Sequence, residues 1–131
     1  MIGIDTNLLL RLLLDDDAAQ VPRARREAAR AEAAGDALLV NDVVLVETVW
    51  TLQSRYGADK RELLVLLHGL LDNAQLTFES RSALDEAVAG FENTNADFPD
   101  CLILAKNAAA GCAHTATFDR ALRSFEHAKL I

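Results

Sequence analysis

The chain has 131 residues, 51% hydrophobic and 25% charged, with a formal net charge of −7. That length supports one domain, 1–131, with its own core, and the apolar content excludes a disordered chain. The acidic balance argues against a protein that coats nucleic acid non-specifically, which would be basic overall, but not against an enzyme whose metal site is built from carboxylates.

Aromatic residues are only 5% of the chain and Leu, Ala and Val dominate, which favours helices around a small sheet. Cys101 and Cys112 form no CxxC and have no histidine pair nearby, so neither a zinc site nor a disulfide framework is expected. Two small apolar residues in a reducing compartment explain them. The N-terminus carries no basic leader. The leucine run Leu8–Leu14 is too short to span a bilayer and is interrupted by Arg11. A cytoplasmic protein without a membrane segment is expected.

Met1-Ile2-Gly3-Ile4 has strand character and ends abruptly in Asp5-Thr6-Asn7, where a leucine-rich helix begins, about Thr6 to Leu14. In an open α/β sheet ligands bind at the carboxyl ends of strands, so Asp5 would stand at the rim of a cleft. Asp5 is also an ordinary helix cap. Asp15-Asp16-Asp17 follows as a turn, either another metal site or, since adjacent acids splay apart, a solvated loop. Pro22 fits the first turn of a second helix running to about Ala34, with Arg23, Arg26 and Arg30 on one face. That face is either solvated, with Glu27 pairing nearby, or a contact for an RNA backbone.

Gly35 stops this helix, Ala37–Val40 reads as a buried strand, and Asn41 or Asp42 caps a third helix to about Tyr56. Glu47 is the only charge within Val44-Leu45-Val46-Glu47-Thr48-Val49-Trp50. If buried, it must be neutral, paired or on a metal. It could also point outward or pair with an arginine, though the apolar residues at 43, 44 and 46 make an outward face hard to draw.

Gly57 and Asp59 separate that helix from a fourth, whose leucines repeat with helical period from Leu63 to Leu71. A short strand, Leu76–Phe78, and a fifth helix, about Ser80 to Asn93, come next. Asp97 reads as the cap of a sixth helix with Pro99 in its first turn. Asp100 is three residues on, where an acid reaches back to the N-terminus and is held ionised by the helix dipole. A fourth strand within Cys112–Phe118 ends at Asp119, and Ala128–Ile131 closes the chain as a last strand.

If the sheet is parallel, Asp5, Glu47, Asp100 and Asp119 can face one cleft at its carboxyl edge. Four carboxylates do not stay ionised together without a cation, and hard oxygen ligands on rigid elements suit Mg²⁺ or Mn²⁺. Such ions bind phosphate oxygens and activate water in phosphodiester hydrolysis.

The chain here resembles the PIN-domain ribonucleases, most closely the VapC toxins of bacterial toxin–antitoxin pairs. The carriers are Ile4-Asp5-Thr6-Asn7, Val46-Glu47-Thr48-Val49-Trp50, Ala96-Asp97-Phe98-Pro99-Asp100-Cys101-Leu102-Ile103 and Thr117-Phe118-Asp119-Arg120, in this order along nearly the whole chain. The resemblance implies an α/β fold, a three-layer Rossmann-like PIN domain with a central parallel sheet flanked by helices. It implies a metal-dependent endoribonuclease whose metal ligands and catalytic acids are Asp5, Glu47, Asp100 and Asp119. Thr6, Asn7 and Thr117 match supporting polar positions around the cofactor, and Asp97 is either a cap or a neighbour of the metal. It further implies an RNA substrate and a VapB-like antitoxin. Pro99 departs from the family, which more often has a small residue there.

The apolar excess of helices one, three and four points to a partner helix or a homodimer. A receiver-like signalling module with an acidic Mg-binding pocket is the alternative. It wants an acidic pair after strand one and a phospho-accepting Asp after strand three, where this chain has Asp5-Thr6-Asn7 and Phe78-Glu79-Ser80. A non-catalytic binding module whose acids are only caps is the other alternative. A haloacid-type phosphatase fits worse, because Asp5-Thr6-Asn7 lacks the second Asp of that signature.

Overall fold

A computed structural model describes all residues, Met1–Ile131. It is α/β with parallel strand pairing throughout, as expected, and it divides into two compact units, Met1–Glu79 and Ser80–Ile131.

The first unit is built on a three-stranded parallel sheet of order β1-β2-β3, with β1 Ile2–Gly3, β2 Leu38–Val40 and β3 Leu76–Phe78. Parallel neighbours need long crossovers, and each is a helix pair. α1 (Thr6–Leu13) and α2 (Gln20–Ala33) join β1 to β2; α3 (Asp42–Tyr56) and α4 (Lys60–Asp72) join β2 to β3. Leu38 and Val40 are buried to the last few per cent, as a central strand requires.

The turns are set by local chemistry. Asn41 caps α3 by accepting from the Val44 amide at 2.9 Å, and Gly57 ends it in the left-handed conformation at φ 63°. That conformation is cheap only for glycine. α4 starts with a reciprocal capping box in which Asp59 accepts from the Glu62 amide and Glu62 reaches back to the Asp59 amide.

The Asp15-Asp16-Asp17 turn is more ordered than a solvated loop. Asp17 accepts from the Gln20 and Ala19 amides, and those bonds hold its carboxyl below the ordinary value. Asp16 accepts from Arg11 at 3.2 Å and from the Tyr56 hydroxyl, joining the ends of α1 and α3. The leucine stripe of α4 is largely internal: Leu63, Leu67 and Leu70 are core residues, whereas Val65 is exposed. Leu64, Leu66 and Leu71, the rest of the stripe, are half-buried.

The second unit pairs two long helices, α5 (Arg81–Asn93) and α6 (Phe98–Ala109), with a two-stranded parallel sheet of β4 (Thr115–Thr117) and β5 (Ala128–Leu130). A short 3-10 helix, Arg120–Leu122, connects the two strands. Phe98 is fully buried and meets Phe91 edge to face, ring centres 6.2 Å apart. Asn107 Nδ2 donates to Thr115 Oγ1 at 3.0 Å, tying α6 to β4. No helix is long and apolar enough to cross a membrane.

Candidate functional site

In the first unit, Asp5 follows β1 and sits at the N-cap of α1, exposed, with one carboxylate oxygen accepting from the Leu8 amide at 2.9 Å. The capping role is therefore real. It occupies one lone-pair direction of one oxygen and leaves the rest of the carboxylate open. Thr6 Oγ1 donates to Glu47 Oε1 at 3.3 Å, which links the first turn of α1 to the second turn of α3 and fixes the direction of the glutamate. Asn7 is exposed beside them.

Glu47 is exposed, not buried. α3 turns Val43, Glu47 and Trp50 outward, positions spaced four and three apart, and Trp50 is 63% exposed. The outward orientation, open in the sequence, is hard to draw there because two of the three residues on that face are apolar. The buried polar residues of this helix are instead Asp42 and Thr48. The Asp42 amide donates to Glu79 Oε2 at 2.9 Å, a contact between the end of β3 and the start of α3 that no short-range signal announces.

In the second unit, Asp97 holds the N-cap position of α6 but its side chain accepts no capping bond. The expected capping pair of Asp97 and Asp100 does not form. The proton affinity of Asp100, in the first turn, is raised rather than lowered. Partial burial raises its proton affinity, and the nearby carboxylates of Asp119 and Asp97 raise it further. Asp119 lies beyond β4, accepts from the Ala121 amide at 2.9 Å, and donates its own amide to Thr117 Oγ1 at 3.0 Å. Thr117 thus holds the turn that presents Asp119, as Thr6 holds Glu47.

Thr6 and Glu47 are brought together in one unit, and Asp100 feels the carboxylates of Asp119 and Asp97 in the other. No three His, Cys, Asp or Glu side chains gather closely enough to form a metal cage by themselves. The donor chemistry still fits a hard divalent ion. Mg²⁺ usually keeps several waters and takes one or two carboxylates together with substrate phosphates, rather than a cage made wholly of protein. Without its ion such a site leaves carboxylates near one another, and Asp119 and Asp97 do add to the effect of burial on Asp100.

Parallel strands with acids just past their carboxyl ends define an α/β protein with acidic groups where such sheets bind ligands. A PIN-domain family profile matches residues 2–128, and the chain belongs to the PIN-domain family. PIN domains are generally nucleases, hydrolases of phosphodiester bonds, and typically use divalent metals. No curated protein matches the chain.

Proposed function

We propose that this protein is a Mg²⁺- or Mn²⁺-dependent endoribonuclease in which Asp5, Glu47, Asp100 and Asp119 are the metal ligands and catalytic acids. The observation that carries the reading is Asp100, a carboxyl at a helix start whose proton affinity is raised first by partial burial and then by the carboxylates of Asp119 and Asp97. A bound divalent ion would neutralise that repulsion, hold a scissile phosphate and lower the pKa of a water. The residues of the chain do the positioning. Thr6 donates to Glu47 in the first unit, and Thr117 holds the Asp119 turn in the second. Asn7, exposed two residues after Asp5, would orient a phosphate or a water.

The toxin reading belongs to the same proposal. A cytoplasmic VapC-like ribonuclease needs a cognate antitoxin, and exposed Val43, Trp50 and Val65 support a protein partner, an antitoxin helix or a second copy of the chain. The test is cleavage of labelled RNA in Mg²⁺, Mn²⁺ or excess chelator. Wild-type protein should cleave only with metal, Asp100→Asn should be inactive, and co-expression with a short adjacent reading frame should yield a soluble, inactive complex. Chelator-resistant cleavage, or full activity in Asp100→Asn, would sink the metal assignment.

A further inference from the structure

A concavity of about 600 Å³ opens between α1 and α2, within the first unit. Four guanidiniums line it, those of Arg11, Arg23, Arg26 and Arg30, against two carboxylates, Asp5 and Glu27. Four minus two leaves a local charge of +2 on a chain whose net charge is −7. Leu8 and Ala24 also line the groove and add no competing charge.

The four arginines differ in availability. Arg11 is tied to Asp16 and to Gln20 Oε1 and forms a fixed wall. Arg30 shares a wholly surface ion pair with Glu27 at 3.2 Å, a contact of little net worth. Arg23 and Arg26 are exposed and have no carboxylate partner. A solvated arginine face would point into open water, whereas these three α2 side chains line one concavity with Asp5 at its α1 end. Seven residues separate Arg23 from Arg30, about 10 Å along the helix, or roughly three phosphate steps of a stacked strand.

We propose that the α1–α2 groove is a binding track for single-stranded RNA, in which Arg23, Arg26 and Arg30 grip backbone phosphates of the strand leading away from Asp5. This rests on the nuclease reading for the identity of the polyanion. Arginine suits the task because its planar fork takes two phosphate oxygens at once and is weakly hydrated. Contacts of this kind position the strand and do not read its bases. Their signature is salt: each phosphate neutralised by a cation on a single strand contributes about 0.7 to the slope of log K against log salt.

The experiment measures binding of a labelled RNA of about a dozen nucleotides by fluorescence anisotropy, in chelator, between about 50 and 200 mM salt. The triple variant Arg23→Gln/Arg26→Gln/Arg30→Gln should weaken binding and flatten the slope by about 2, three contacts at about 0.7 each. Arg25→Gln, on the same helix but outside the groove, should leave the slope unchanged. With Mn²⁺ present, the triple variant should raise KM for the long RNA while a dinucleotide, too short to reach the groove, is cleaved as by wild type. Circular dichroism confirms that α2 is intact.

An unchanged slope in the triple variant, or an equal loss in Arg25→Gln, overturns the track. So does a variant that keeps RNA affinity but loses binding of an oligoglutamate peptide, which would make the groove a seat for an acidic protein segment. A wild type that shows the slope effect yet cleaves no RNA under any metal supports the groove and removes the nuclease reading. Normal metal-dependent cleavage with no slope effect does the reverse.

Discussion

Asp5 is both a helix cap and a proposed metal ligand, and the two roles separate under two substitutions. Asn accepts a hydrogen bond at an N-cap about as well as Asp, so Asp5→Asn should preserve the 2.9 Å bond from the Leu8 amide. Its stability should stay within about 0.5 kcal/mol of wild type. Asp5→Ala removes the acceptor and should cost about 1 kcal/mol, which for a chain of this size lowers the melting temperature by about 4 °C. Catalysis divides differently. Removing a partner that merely orients a metal ligand costs about 10–100-fold, so loss of a direct ligand should reach at least the top of that range. A hundredfold loss corresponds to about 2.7 kcal/mol in the barrier. Both variants should therefore lose cleavage, though only Asp5→Ala loses stability. Thermal melts followed by circular dichroism and initial rates of RNA cleavage in Mn²⁺ give the two axes. If Asp5→Asn cleaves RNA as wild type does, Asp5 is a cap alone and the ligand assignment is wrong.

The raised proton affinity of Asp100, caused first by desolvation and then by Asp119 and Asp97, has a definite sign. The folded state binds that proton more tightly than the unfolded chain, so the associated stability is present at acid pH and lost as pH rises through the folded value. Asp100→Asn should accordingly raise the melting temperature at neutral pH, with the gain vanishing below the ordinary carboxylate range; a pH series of melts decides it. Added Mn²⁺ should stabilise wild type more than Asp100→Asn, and equal shifts would place the ion elsewhere. Asp16→Asn weakens the contacts to Arg11 and Tyr56 and should cost about 1 kcal/mol in a chemical denaturation curve, whereas Asp15→Asn should be silent. Leu67→Ala opens the core of the first unit and should cost about 2–5 kcal/mol, against little for exposed Val65→Ala; similar values would mean α4 is oriented differently.

Much of the local architecture was legible before any tertiary information. Helix starts at Asn41 and Asp59, the glycine stop at Gly57 and the strand Leu76–Phe78 depend on caps, backbone freedom and short-range periodicity, all of which a linear pattern carries. The order of the acids along the chain is likewise a linear property, and the family follows from it. What the sequence could not decide was which way side chains face and what they meet. Glu47 looked buried because its neighbours are apolar, yet burial is set by which face of α3 packs inward, and the outward face carries Val43 and Trp50. Asp100 looked like a cap held ionised by the helix. Its proton affinity is instead raised, first by partial burial and then by Asp119, nineteen positions away, because burial and electrostatic coupling depend on surroundings in space. The periodicity of Arg23, Arg26 and Arg30 could be seen in advance. That these residues line a hollow with Asp5, rather than open solvent, is decided only by how α1 packs on α2.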